Sequence, residues 1–301
     1  MSVATERRYL DDERLPAPDR LLARSAGENF PVASRLLPRR YRRDLLAVYG
    51  FARLVDYVGD ELPPHDETRL AALDRIETQL DQPSHPLIVG AMATVRSRGL
   101  DDALLRRLIE ANRQDQRVHR YETFEQLLGY CELSANPVGR LVLGIFGAST
   151  PDREKWSDLI CTGLQLTEHW QDVAEDAAVG RIYLPLEDLA RFGVAAEQVT
   201  SRASGGVSSQ AMRGLMAFEV ARARHLLDQG TPLVGSMSGR TRVAVAGFVA
   251  GGQAALDGIA AADFDVLDVP GVCARPARHR RLAFARRFLG VLSQRNHRGP
   301  G

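Results

Sequence analysis

Two acidic segments, far apart in the chain, each carry carboxylates four residues apart in strongly helical surroundings. The first runs Arg53-Leu54-Val55-Asp56-Tyr57-Val58-Gly59-Asp60-Glu61; the second runs Gln171-Asp172-Val173-Ala174-Glu175-Asp176. On a helix this spacing stacks Asp56 above Asp60 and Asp172 above Asp176. Like charges so placed repel, so folding alone gives no reason to pair them. A hard divalent cation does: Mg²⁺ takes one or two protein carboxylates and fills its other positions with water and substrate phosphate. Two such helices facing each other would form a jaw for Mg²⁺ and a diphosphate.

Acidic pairs on helices more often face water. The first pair departs from that pattern. Leu45, Tyr49 and Ala52 form an apolar stripe that continues through Asp56 to Asp60, which puts the carboxylates on the face expected to bury itself. The second helix has its apolar stripe at Leu166, Trp170, Val173 and Ala177. Gln165, Glu168, Asp172 and Asp176 form a separate polar stripe, able to line a cavity or to face solvent.

Helical periodicity recurs along the chain and no run shows a convincing strand alternation. Helices are expected at about 40–61, 66–81, 86–99, 101–117, 123–147, 151–178, 186–192, 207–229, 240–264 and 277–293. Pro63-Pro64 stops the first, Asn136-Pro137 kinks or interrupts the fifth, and residues 179–185 form a loop. Pro31 and Pro38 bracket a short helical piece before them. The expectation is a single all-α domain over 1–301, a helical bundle around a central cavity. Residues 1–20 would be a loose arm and 275–301 a basic C-terminal helix and tail.

Composition removes several classes of function. The 39 Lys+Arg against 38 Asp+Glu leave a net charge of +1, so no global field recruits nucleic acid. Cys131, Cys161 and Cys273 lack metal-ligand spacing and suit a reducing cytosol. The first twenty residues are charged and lack the apolar core of a signal peptide. The charge-poor stretch Val243–Leu256 is short and rich in Ala and Gly, so it reads as a closely packed core helix. From Arg275 to Arg298 there are eight arginines and no acids, interleaved with Leu282, Phe284, Phe288, Leu289 and Leu292. Such a helix either docks on the bundle or makes peripheral contact with the inner face of an anionic membrane.

Several motifs occur in register: Arg53-x-x-Asp56-x-x-x-Asp60; Tyr130-Cys131 followed by Ala135-Asn136-Pro137-Val138-Gly139; Gln165 then Asp172-x-x-Glu175-Asp176; and Gly180-Arg181-Ile182-Tyr183-Leu184-Pro185. Together they resemble the squalene and phytoene synthase family of all-α isoprenoid synthases, over residues 25 to 265. The segments 28–34, 46–53, Glu110-Ala111-Asn112-Arg113-Gln114-Asp115, 134–140 and His169-Trp170-Gln171-Asp172 resemble its bacterial hopanoid-pathway branch, the hydroxysqualene synthases.

The resemblance implies a reaction that the residues alone do not name. Presqualene diphosphate would be ionised with Mg²⁺, and water would capture the rearranged carbocation to give hydroxysqualene, without NADPH. Asp56, Asp60, Asp172 and Asp176 would hold the metal, with Glu61 and Glu168 as further candidates. Arg53, Arg181, Tyr183, Gln165 and Asn136 would contact substrate or diphosphate, and Tyr130 would line the reacting centre. Phe30, Tyr49 and Phe51 are candidates for the wall around the isoprenoid chain, where aromatic faces also stabilise a passing cation.

Two positions depart from the family pattern: Tyr57, where many relatives carry an acid, and Glu168, where an asparagine is usual. Other pathway enzymes are implied as partners. The alternative within the family is head-to-head condensation of two farnesyl diphosphates to presqualene diphosphate, squalene or phytoene. The alternative outside it is a non-catalytic helical scaffold. A di-iron bundle would need repeated Glu-x-x-His pairs, which the sequence lacks.

Overall fold

The computed structural model describes residues 37–62, 66–202, 208–267 and 277–293. Helices account for nearly all regular structure among them. Among the described residues the only sheet-like pairing is an isolated parallel bridge between Arg120 and Ile182. The chain divides into two compact units, one comprising Met1–Arg117 and Pro137–Ser149, the other Val118–Asn136 and Thr150–Gly301.

In the first unit, α1 (Arg39–Asp56) passes directly into a π-helical turn, Tyr57–Glu61. It is followed by α2 (Asp66–Asp81), α3 (Pro86–Arg98) and α4 (Ala103–Asp115). The apolar stripe of α1 is Leu45, Val48, Phe51, Leu54 and Val55, continued by Val58 of the π turn, all buried. Against it lie Ile88, Ala91 and Val95 of α3 and Leu105 and Ile109 of α4, also buried. Pro86 opens α3 behind a cap from His85, and Gly99, at φ 62°, closes it in the left-handed conformation that glycine adopts without strain. Asp44 is almost wholly buried and receives the Arg98 guanidinium at 2.8 Å, so its charge is matched. The expected helix over 40–61 therefore exists, but its last turn is wider than α.

The expected helix over 123–147 is two. α5 (Phe124–Ser134), capped by the Thr123 hydroxyl, belongs to the second unit; α6 (Asn136–Ile145) begins there, and its residues from Pro137 onward belong to the first. Proline at 137 removes an amide donor, which is where the interruption falls.

The second unit is built on α7 (Pro151–Gln171), which opens behind the Thr150 cap with Pro151 at its first position. After it come α8 (Val173–Ala178), α9 (Leu186–Arg191), α10 (Ala196–Arg202), α11 (Gln210–Gly230), α12 (Pro232–Ser236), α13 (Gly239–Ala261) and α14 (Ala277–Ser293). α10 and α12 were not anticipated; both are short, below the length at which periodicity is legible. α7 packs on α11 and α13 through missing side chains. A Cβ on Gly163 would stand 2.9 Å from Leu227, and one on Gly252 only 2.6 Å from Leu164. α13 is long and apolar enough to cross a membrane, but Ala246, Val249, Ala250, Leu256 and Ile259 are fully buried against α7, α11 and α14. It is a core helix.

α14 docks on α13 through the Arg287–Asp257 pair at 2.7 and 2.8 Å, while Phe284 and Leu289 remain exposed. The N-terminal arm, the piece around Pro31, Pro63-Pro64, Cys273 and the tail beyond Ser293 lie outside the described residues.

Candidate active site

Each acidic segment sits where its helix departs from regular α geometry. At the end of α1 the Leu62 amide donates to the Tyr57 carbonyl, an i→i+5 bond that widens the turn carrying Asp60. The cause is local. Gly59 has no Cβ, and one placed there would stand 2.1 Å from Asn112 Oδ1, so α4 approaches at this point as only glycine permits. The carbonyls of the wide turn find side-chain donors. Gln116 donates to Gly59 O at 3.1 Å, and Arg69 donates to Asp60 O and Leu62 O at 2.8 and 2.6 Å. The Arg69 guanidinium also reaches Gln116 Oε1 at 3.3 Å, which joins the two supports.

This frame makes an acidic recess in the first unit. Arg53 Nη1 lies 3.5 Å from Asp56 Oδ2, and its Nη2 lies 3.7 Å from Glu61 Oε1. Asn112 Nδ2 donates to the other Asp56 oxygen at 3.4 Å. Loss of hydration raises the Asp56 pKa to about 6, against the opposing pull of Arg53 and Asn112, with Asp60 and Asp115 raising it further. The recess stays open, since 43% of the Asp56 side-chain surface reaches solvent, and water there restores part of the lost hydration and screens these charges. Asp60 and Glu61 are exposed, which corrects the expectation that both aspartates lie on the buried face. The wider turn rotates Asp60 out of the α1 stripe. Tyr49 and Phe51 are buried in α1, and Phe30 lies outside the described residues.

In the second unit the expected helix over 151–178 bends at Asp172, whose φ of −101° and ψ of 12° separate α7 from α8. Glu168 and Asp172 are exposed, while Gln165 and Asp176 are half-buried, so the polar stripe runs from solvent to interior. The Asp172 carboxyl is raised to about 6, by partial loss of hydration and then by Glu175 and Asp176, with His169 opposing. Water around this exposed group screens those charges.

Inward from Asp176 lies an aromatic group. His169 stacks on Tyr183 with ring centroids 3.7 Å apart, and Tyr130 leans on both at 5.9 and 5.7 Å. Tyr121 completes the set, 5.7 Å from Tyr130 and 5.8 Å from Tyr183. Gln165 Nε2 meets His169 Nε2 at 3.2 Å. Asn136, buried at the start of α6, accepts from the Thr162 hydroxyl at 3.1 Å, one turn before Gln165. The loop bearing Arg181 and Tyr183 is fixed by backbone bonds from Ile182 to His119 and from Leu186 to Tyr121. Thus Tyr130, Gln165, Asp176, Arg181 and Tyr183 are gathered in one unit, and Arg53, Asp56, Asp60 and Glu61 in the other.

The donor set suits a hard cation. Arg53 is one positive charge among Asp56, Asp60, Glu61 and Asp115, and its Nε is buried without a hydrogen-bond partner. Excess carboxylate beside a guanidinium with one unmet donor fits a metal-bound diphosphate, which would supply positive charge to one and oxygen to the other. Among the described residues, no three His, Cys, Asp or Glu side chains cluster as a ready-made chelate. Mg²⁺ does not require one.

Sequence reasoning assigned no role to Asn112, Asp115, Gln116, Arg69 or His169. The segment Glu110–Asp115 carried a resemblance signal, but only the approach of α4 to Gly59 shows what Asn112 does.

Comparison with solved structures places the fold among the all-α isoprenoid synthases. The chain superposes on squalene synthase HpnC from Alicyclobacillus acidocaldarius with a TM-score of 0.74 at 39% identity, covering 82% of this chain and 93% of that one. It belongs to the squalene/phytoene synthase family, whose model matches residues 23–285. It is 39% identical to a hydroxysqualene synthase of Zymomonas mobilis over 176 residues, 56% of this chain and 58% of that protein. A second hydroxysqualene synthase, from Rhodopseudomonas palustris, is 34% identical over 209 residues, 68% and 70% of the two chains. The Zymomonas match thus spans less than two thirds of that relative's length.

Proposed function

We propose that this chain converts presqualene diphosphate to hydroxysqualene, by loss of diphosphate, rearrangement of the carbocation and capture of water. The observation that carries the proposal is the acidic recess at Asp56, with Arg53 inside it and its Nε without a hydrogen-bond partner, in a chain whose similar relatives include hydroxysqualene synthases. Ionisation breaks the carbon–oxygen bond and sends its electron pair to the diphosphate. Arg53, the cation of the recess, is suited to receive that charge as it develops, and Arg181 is the candidate for that role within the second unit. Asp56 and Asp60 of the recess would hold Mg²⁺, which would supply Lewis-acid stabilisation of the leaving diphosphate; Asp172 and Asp176 are the candidate ligands within the second unit. Tyr130 and Tyr183 pack with Tyr121 and His169 into a buried aromatic group that keeps bulk water away.

The test offers presqualene diphosphate and farnesyl diphosphate separately to the purified protein with Mg²⁺, with and without NADPH. Hydroxysqualene from presqualene diphosphate alone, with no need for NADPH, is the expected result. Squalene, phytoene or presqualene diphosphate made from farnesyl diphosphate would overturn the branch and keep the family. No product from either would overturn the catalytic reading.

A further inference from the structure

The hydroxysqualene reading leaves open what holds the captured water, and the second unit offers a place. His169 Nδ1 and Asp176 Oδ2 face each other across 3.9 Å. That is too long for a direct hydrogen bond and within the span that one bridging water closes. Beside them is a cavity of about 10 Å³ lined in part by His169, Asp176, Arg181 and Tyr183. The volume is at the lower limit for a single water, and His169, Asp176 and Arg181 are its polar partners beside Val173, Ile182, Leu184 and Val199.

The imidazole is held in one orientation. Tyr183 stacks on its face, and Gln165 Nε2, which can only donate, addresses Nε2 at 3.2 Å. In the tautomer in which Nε2 accepts from that amide, the ring proton is on Nδ1, the nitrogen that faces Asp176 Oδ2 across the gap. A water between the two would receive a hydrogen bond from Nδ1–H and give one to Asp176 Oδ2. One oxygen lone pair would remain for carbon.

We infer that this His169–Asp176 gap binds the water that attacks the rearranged carbocation. The inference rests on the hydroxysqualene reading and specifies its last step. The water's free lone pair forms the new carbon–oxygen bond, and one of its protons passes to the diphosphate released earlier in the turnover. His169 and Asp176 hold the water and undergo no net change. Without a held water, the cation loses a proton from an adjacent carbon and gives a hydrocarbon instead.

Two variants separate water-holding from ring packing. His169→Phe keeps an aromatic ring against Tyr183 and deletes the N–H; His169→Gln keeps a donor and deletes the ring. The readout is the hydroxysqualene share of total product from presqualene diphosphate, a ratio independent of overall rate. Losing one oriented hydrogen bond to the water should lower that share at least about fivefold in His169→Phe and leave His169→Gln within about twofold of wild type. The reverse pattern, or an unchanged share in His169→Phe, would overturn the inference. Should His169→Phe fail to fold, His169→Gln decides: a retained share supports the bound water, and a collapsed share refutes it. Wild-type protein that makes no hydroxysqualene would instead sink the underlying reading.

Discussion

At the residue scale, the acidic recess depends on one missing side chain. Gly59 is where α1 widens, Asn112 enters the space a Cβ would fill, and its amide steadies Asp56. Gly59→Ala should force Asn112 aside and lower stability by roughly 1–3 kcal/mol, the usual range for overpacking. Denaturant titration measures this directly; an unchanged midpoint would mean that α4 yields freely. Asp60 behaves differently because its side chain is exposed, outside the packed core. Asp60→Asn should melt like the parent and lose turnover by at least about 10²-fold, in line with lost electrostatic stabilisation. Near-normal turnover in that variant would remove the metal-binding role. The opposite profiles expected for neighbouring positions separate the scaffold of the recess from its chemistry.

At the scale of elements, α9, α11 and α5 meet around a buried acid. Glu219 of α11 is fully buried, and loss of hydration raises its pKa to about 8 against the pull of Arg222, with Asp188 of α9 among the groups raising it further. Arg222 bonds Asp188 at 2.8 Å and lies over the rings of Phe124 and Phe218 at 3.9 and 4.4 Å. The cluster anchors α9 directly after the loop that carries Arg181 and Tyr183. Its sign with pH follows from linkage. A carboxyl whose folded pKa lies above its ordinary 4.5 binds its proton more tightly in the folded chain. Its contribution is therefore fully present at low pH and is lost as pH rises toward about 8. Glu219→Gln keeps a donor for Asp188 and abolishes the titration. Melting curves from pH 5 to 9 should show a shallower decline than wild type, with a gain of at least about 1 kcal/mol at pH 8. Parallel curves for the two proteins would show that Glu219 is ionised throughout.

For the molecule as a whole, a net charge of +1 provides no long-range field for a polyanionic diphosphate, so binding must come from local groups. A ligand that binds only the folded chain raises its apparent stability by mass action. Mg²⁺ with inorganic diphosphate should therefore raise the melting temperature by several degrees once near a hundred times its dissociation constant. Either component alone should do much less, and EDTA should reverse the shift. An equal shift from diphosphate without Mg²⁺ would assign its binding to the arginines alone.

Much of this was legible in the amino-acid order, because helix periodicity, proline stops and Ser/Thr caps act over a few residues and need no partner. The stripe Leu166, Trp170, Val173 and Ala177 is buried as the pattern predicts, and α14 occupies 277–293 as expected. The motifs carried the family for the same reason: they are local strings. What the order alone left undecided depends on a second segment arriving. A π turn leaves carbonyls that α-helical bonding would have used, and it persists here because Gln116 of the α4 end and Arg69 of α2 donate to them. The exposure of Asp60, the bend at Asp172 and the stack of His169 on Tyr183 are of the same kind. A one-dimensional pattern states which face of a helix seeks burial. The neighbour that meets that face, and how closely a missing Cβ lets it come, is settled only by tertiary packing.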